Sequence, residues 1–391
     1  MSEGTGGAAE AAPAGRPYIA SLTGLRGIAA FSVFLFHYSA LHPGIRLDLS
    51  IPVVGYFLQL PLGLGFAGVD LFFVLSGFLL TLPFARARLH QQPGPDVGRY
   101  LKRRLLRVFP AYYAQWAILM LGGAWFVTFR PLDAADIAAH VFMFFNIGTE
   151  PVRPLVGLWW TLPVELSFYL LLPLLAMLLR PARWLALIGA GVAISIAWRA
   201  WAASHFSDDL GDAAFLAASQ LPGSLPEFLL GAGAALLTQD REWRGKPAPD
   251  GRTSNRLFLV GCLGVFLWLS QAVVRFGDLY WGGHWSMLIA PTVLGASLSL
   301  IVLGLYWQSR IGTVLLANPV IYFVGLVSYS LYLWHFVAMQ QLQKLGGAAY
   351  ADLPGLMQFL ASTALATAVA TLSYYLFERP FFRLRGRRHA D

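Results

Sequence analysis

The sequence predicts an all-α protein, a polytopic membrane helical bundle of about ten transmembrane helices. Composition, segment length and the placement of charge carry that reading. Of 391 residues, 57% are hydrophobic and only 12% are charged, with a mean hydropathy of +0.60; a soluble domain carries about 25% charged residues. Apolar segments recur at a length that crosses a bilayer as a helix, about 20 residues at ~1.5 Å each. Basic residues collect in alternate connections between them.

The expected spans are approximately 20–41, 63–84, 109–129, 158–179, 184–203, 218–238, 257–274, 285–305, 319–340 and 356–377. Residues 1–17, rich in Ala and Gly, read as a disordered cytoplasmic tail. They lack the basic start of a cleaved signal peptide. A membrane domain is expected over 18–382, and a basic cytoplasmic tail over 383–391. Phe142-Met-Phe-Phe145 lies in an apolar run too short to span, which reads as an interfacial or re-entrant helix on the outer side. The single cysteine, Cys262, excludes a disulfide framework or a Cys-based metal site within one chain.

Orientation follows from the basic loops. The connection between Arg86 and Val108 carries Arg86, Arg88, Arg99, Lys102, Arg103, Arg104 and Arg107 against Asp96 alone. The loop 239–256 and the C-terminus repeat the bias with Arg241, Arg244, Lys246, Arg252, Arg256 and Arg379, Arg383, Arg385, Arg387, Arg388. All fall on one side of a ten-span chain. By the positive-inside rule both termini are cytoplasmic, and the cell (inner) membrane is the expected location. The net charge of +8 is thereby read first as a topology signal. No nucleic-acid partner is expected.

Polar residues inside the spans are the candidates for function, because an intramembrane charge is costly and usually has a partner or a task. Arg26 and His37 lie eleven residues apart in the first span. At about 100° per residue they share one helix face, roughly 16 Å apart along the axis. Asp70, Glu165 and His335 fall, with His37, in one layer of the outer half. An imidazole exchanges protons near neutral pH, and a neighbouring carboxylate would fix its tautomer. Plainer readings exist for each. Arg26 can snorkel to headgroups, Asp70 can satisfy a neighbouring backbone, Glu165 can answer groups freed by Pro163, and His335 can be an interfacial residue. On the basic side Arg104 and Arg107 share a helical face at the entry to the third span, and with Arg26 they suit a phosphate group through planar, multi-donor guanidinium groups. The plainer reading there is an anchor to anionic lipid. Phosphate chemistry on one side and proton chemistry on the other suit transfer of an activated group across the membrane. A proton-coupled exporter is the alternative, and a receptor-like scaffold a further one.

Six stretches resemble the acyltransferase-3 family of membrane acyltransferases, which includes polysaccharide O-acetylases and macrolide acylases. They are Leu22-Thr-Gly-Leu-Arg-Gly-Ile-Ala-Ala30 with His37, Gly68-Val-Asp-Leu-Phe-Phe-Val-Leu-Ser-Gly-Phe78, Arg103-Arg-Leu-Leu-Arg-Val-Phe-Pro110, Trp160-Thr-Leu-Pro-Val-Glu-Leu-Ser-Phe-Tyr169, Ser328-Tyr-Ser-Leu-Tyr-Leu-Trp-His335 and Phe377-Glu-Arg-Pro-Phe381. Thr23 stands where the family usually has Asp. The resemblance implies a fold of about ten helices, an acyl-CoA donor (acetyl-CoA expected) and no permanently bound cofactor or metal. It also implies a hydroxyl-bearing acceptor such as a glycan or lipid-linked sugar. His37 is then the expected general base, with Asp70 or Glu165 orienting it, and Arg26, Arg104 and Arg107 the expected contacts to the CoA phosphates.

Overall fold

The computed structural model describes residues 18–43, 48–53, 56–149, 151–206, 212–270 and 284–383. The expected tail over 1–17, and 384–391 of the C-terminal one, lie outside the described residues, as does the end of the seventh expected span.

Helix α1 (Tyr18–Leu41) leads into a two-stranded antiparallel hairpin, β1 (Asp48–Val53) and β2 (Tyr56–Pro61), and then into α2 (Gly68–Leu89). The hairpin was not anticipated from the sequence, though the architecture remains an all-α bundle. Next come α3 (Val97–Gly122), the short α4 (Ala134–Phe142), α5 (Thr161–Ala176), α6 (Pro181–His205), α7 (Asp212–Ala218) and α8 (Leu221–Trp243). The chain closes with α9 (Gly251–Trp268), α10 (Trp285–Tyr306), α11 (Arg310–Leu316), α12 (Pro319–Leu326), α13 (Ser328–Ala351), α14 (Gly355–Ser373), a π turn over Tyr374–Glu378 and α15 (Arg379–Arg383). Among the described residues seven helical stretches are long and apolar enough to cross a membrane, and an eighth arises if α12 and α13, bent by 77° to one another, count as one broken span. The remaining two expected spans are helical, as α3 and α9. Helix α3 carries its basic residues within the helix itself, which dilutes its apolar character. The chain is thus a multi-pass membrane protein.

Local chemistry explains several boundaries. Asp96 accepts from the Arg99 amide at 2.6 Å and starts α3, and Asp250 does the same for Thr253 at 2.8 Å at the start of α9. Pro181 begins α6 where no amide donor is needed. The short run Phe142–Phe145 is helical only at its first residue: α4 ends at Phe142, where Met143 turns left-handed at φ 58°. That helix is satisfied internally. His140 is buried, its Nδ1 donates to the Asp136 carbonyl at 2.7 Å, and its Nε2 accepts from the Leu155 amide at 2.9 Å. Outside the spans, Arg130 grips Asp136 through both terminal nitrogens, at 2.6 and 3.1 Å, and holds that carboxyl below its ordinary value. A depressed carboxyl stabilises the fold above its unfolded value and stops doing so as pH falls through the folded one. Solvent around this exposed pair keeps the effect small.

Helices α2 and α8 pack more extensively against each other than any other pair. Two glycines make this contact possible. A Cβ on Gly77 would stand 2.2 Å from the Phe228 carbonyl oxygen, and one on Gly231 would stand 2.2 Å from that of Val74. The backbones therefore touch directly, which brings Asp70 in the first turn of α2 close to Glu227 in the second turn of α8. Gly77→Val should force the pair apart at a cost of about 1–3 kcal/mol. A lowered thermal midpoint of the purified protein is the expected result, and an unchanged midpoint would refute the close packing.

Candidate active site

Two cavities lie back to back inside the bundle. The first, of about 80 Å³, is lined by Arg26 of α1, Arg104 and Arg107 of α3, Ser76 of α2 and Glu165 and Tyr169 of α5. The second, of about 570 Å³, is lined by His37 of α1, Asp70 of α2, Arg199 of α6 and Glu227 of α8, with Trp160, Phe215 and other aromatic rings. Val69, Phe73 and Tyr332 line both. These three side chains form the partition. Tyr332 is pinned by its hydroxyl, which lies 2.8 Å from Thr161 Oγ1 and donates to the Leu158 carbonyl.

The shared face of Arg26 and His37 is therefore expressed as two chambers stacked along α1, one residue in each. Of the expected site residues, the structure brings Arg26, Arg104, Arg107 and Glu165 together in the first chamber. It places His37 and Asp70 in the second, with His335 directly behind His37. The expected layer of two histidines and two carboxylates is thus divided: Glu165 lines the chamber of the arginines.

That first chamber concentrates charge in an apolar bundle. Arg26 lies within electrostatic reach of Arg107, Glu165 and Glu378. Glu165 accepts from Ser76 Oγ at 2.8 Å and is hydrogen-bonded to Tyr169. Glu378, buried at the end of the π turn, accepts from Ser330 Oγ at 2.5 Å. Arg104 rests 5.9 Å from the Tyr100 ring, and its buried Nε has no hydrogen-bond partner among the described residues. An unanswered buried guanidinium donor is what a site for an anionic oxygen presents before that ligand arrives.

In the second chamber, His37 Nδ1 lies 2.8 Å from the Val33 carbonyl, and His335 Nδ1 lies 2.8 Å from that of Leu331. A carbonyl accepts only from a protonated nitrogen, so both neutral rings carry their proton on Nδ1. The backbone of α1, one turn back, thus fixes the His37 tautomer and leaves the lone pair on Nε2. His335 Nε2 in turn faces His37 Nδ1 at 3.4 Å, with ring centroids 5.2 Å apart. Neither Asp70 nor Glu165 makes these bonds. Asp70 is instead hydrogen-bonded to Glu227.

Sequence reasoning passed over Glu227 and Arg199, and it quoted Glu378 only as part of the last motif, with no role. The first two were legible by the rule that selected Asp70, since each is a charge inside an expected span. Glu378 follows the last expected span by one residue, where a π turn carries it inward.

A helical membrane protein with a cationic chamber set against a histidine chamber has the layout of a group-transferring enzyme. The chain matches the acyltransferase-3 model, described as an acyltransferase domain, over residues 19–375, and it belongs to that family of acyl-transferring enzymes. It is 28% identical to the acyltransferase MdmB of Streptomyces mycarofaciens over 94% of this chain and 92% of that protein. It is also 28% identical to BcsY of Komagataeibacter xylinus, named as a membrane-bound transacylase, over 92% of this chain and 81% of the relative. YrhL of Bacillus subtilis, named for peptidoglycan O-acetyl transfer, is 26% identical over 95% of this chain but only 56% of its own length. No solved structure matches the chain.

One buried amide ties together the helices behind the partition. Gln115 of α3 donates to the Leu333 carbonyl at 2.7 Å, beside Tyr332, and accepts from Trp159 Nε1 at 2.9 Å, beside Trp160. Gln115→Leu should leave Trp159 Nε1 unanswered, while the Leu333 carbonyl keeps its place in the α13 ladder, and lower stability by about 1–2 kcal/mol. Thermal unfolding monitored by tryptophan fluorescence reads this, and no change would show the amide to be dispensable.

Proposed function

We propose that this chain is a membrane O-acyltransferase that moves an acyl group, acetyl first among those expected, from acyl-CoA to a hydroxyl of a carbohydrate or other acceptor. The observation that carries this reading is the pair of chambers sharing Val69, Phe73 and Tyr332, with three arginines in one and His37 in the other. The name of YrhL, for peptidoglycan O-acetyl transfer, supports acyl transfer to a surface polymer, and that of BcsY supports transacylation at a membrane.

In this reading the CoA phosphates sit at Arg104, Arg107 and Arg26, with Glu165 and Glu378 as counter-charges that hold the guanidinium groups apart. The thin pantetheine arm runs toward the partition and presents the thioester to the second chamber. His37 Nε2 takes the proton of the acceptor hydroxyl as its oxygen bonds to the thioester carbon. The C–S bond then breaks, and the departing thiolate recovers that proton from His37. No acyl-enzyme forms. His335 is a positioning residue: its ring stands behind His37, Nε2 facing His37 Nδ1 at 3.4 Å, and it holds the imidazole in the orientation in which Nδ1 donates to the Val33 carbonyl. Asp70 lies in the acceptor chamber with His37. The basic-loop bias supports cytoplasmic termini in the inner membrane, so the donor enters from the cytosol and the acceptor from outside.

Three outcomes are expected. His37→Gln should fold and bind acyl-CoA but turn over about 10²-fold more slowly or less, the scale of a lost general base. Donor binding and acyl transfer measured together in nanodiscs decide this, and a native rate would remove His37 from the chemistry. Arg104→Lys and Arg107→Lys should both weaken CoA binding, because an ammonium cannot make the planar, multi-donor contact; normal binding by either variant would make that residue a lipid anchor. Reporter fusions after Pro95 and after Asp391 should read as cytoplasmic and one after Arg153 as external, and an external C-terminus would overturn the orientation.

A further inference from the structure

The wall between the chambers stands between a reactive thioester and water, and it is one side chain thick, because the same three residues line both cavities. The histidine chamber, at about 570 Å³, is lined by Asp70, Arg153, Arg199 and Glu227 beside His37. A polar chamber of that size admits water, whose share of the liquid is only about 30 Å³ per molecule. The His37 Nε2 lone pair takes a proton from water as it does from an acceptor hydroxyl. Water there competes for the acyl group. Its oxygen bonds to the thioester carbon, the C–S bond breaks, and the proton held on His37 passes to the departing thiolate, leaving acetic acid and free CoA. A transferase that works beside water needs a barrier to this side reaction.

Two of the three side chains in the wall are fixed. Val69 and Phe73 belong to α2, whose backbone touches that of α8, and Phe73 stacks on Phe228 with ring centroids 4.7 Å apart. Tyr332 is held differently. The α13 backbone around it is secured by Gln115 Nε2 on the Leu333 carbonyl at 2.7 Å and by Ser330 Oγ on Glu378 at 2.5 Å. Its ring, however, is latched through the hydroxyl. That hydroxyl donates to the Leu158 carbonyl, so its one proton is used and the 2.8 Å bond to Thr161 is donated by Thr161 Oγ1. The two partners face opposite sides of the wall: Thr161 lines the arginine chamber and Leu158 the histidine chamber. The latch therefore lies within the wall itself. Releasing it needs only a turn about the Tyr332 side-chain torsions, which exchanges two hydrogen bonds for others that either polar lining can offer.

We propose that Tyr332 is a gate between the two chambers, shut by its hydrogen bonds to Leu158 and Thr161, and that the shut gate keeps water away from the donor thioester. It is what makes the chain a transferase and not a thioesterase. This deepens the proposed function and rests on it for the donor and for the role of His37. Tyr332 makes and breaks no bond in the reaction, so its loss raises acceptor-independent turnover where the loss of a catalytic group lowers it.

The test uses the full chain in phosphatidylcholine nanodiscs with acetyl-CoA and no acceptor, in a buffer free of hydroxyl compounds. Donor binding is read by calorimetry, and released thiol and acetate are counted together. The native protein should bind acetyl-CoA and release thiol slowly. Tyr332→Phe, which deletes only the hydroxyl, should release it about ten-fold or more faster, the scale of losing the hydrogen bonds that hold the gate. Tyr332→Ala, which deletes the ring, should release it at least as fast, and Thr161→Val, which deletes one bond of the two, should fall between native and Tyr332→Phe. Misfolding slows release, so the direction of the change separates a gate from a structural support. Adding His37→Gln to Tyr332→Phe should return release to the native level or below. If neither Tyr332 variant releases thiol faster than a native protein that binds acetyl-CoA, there is no gate and the donor reading stands. Fast release that persists without His37 also overturns the proposal, because the water then attacks outside the histidine chamber. Failure of the native protein to bind acetyl-CoA overturns the donor reading and the gate with it.

Discussion

A guanidinium inside an apolar bundle must be answered from every side, and three of them share one small chamber here. That constraint organises the fold around it. Helices α1 and α3 bring Arg26, Arg104 and Arg107 together, and α2, α5 and the π turn bring Ser76, Glu165, Tyr169 and Glu378 to meet them. Placing Glu378 requires the extra residue of a π turn, because the α-helical register of α14 would carry the same position elsewhere; such turns recur at functional sites for this reason. Even so the balance is incomplete. The Arg104 Nε remains without a partner among the described residues, a demand that the proposed function assigns to a phosphate oxygen of the donor.

The histidine pair shows a different economy. No carboxylate is needed to orient His37, because an imidazole four residues along a helix can reach its own backbone carbonyl, and both His37 and His335 do so. Each ring is therefore aligned by the helix that carries it. The sharp bend before α13 then sets the second ring behind the first. This leaves the nearby carboxyl groups available for another task, and Asp70 and Glu227 engage each other across the tight contact of α2 and α8.

Much of this was legible in the sequence, for definite reasons. Hydropathy located the long helices of the bundle, because a bilayer-spanning segment announces itself locally, but not the short α7, α11 and α15. Helical periodicity placed Arg26 and His37 on one face, and they do line successive chambers of one helix. Depth, however, is only one coordinate. It set Glu165 beside His37, whereas the rotation of α5 turns Glu165 toward the arginines. The partner of Asp70 was hidden for the same reason, since the pairing of α2 with α8 depends on a contact between glycines far apart in the chain. The interruptions that were legible as prolines and glycines did not disclose the bend between α12 and α13 or the π turn, which tertiary packing imposes.

The partition between the chambers has an evolutionary consequence. Because Val69, Phe73 and Tyr332 belong to both linings, any replacement among them reshapes two binding surfaces at once. A lineage that enlarges one chamber there alters the other in the same mutational step, so selectivities on the two sides of the wall drift together. Independent divergence is left to the far walls: α6 and α8 on one side, α3 and α5 on the other. Descendants of this architecture should therefore vary first at those helices and last at the shared partition.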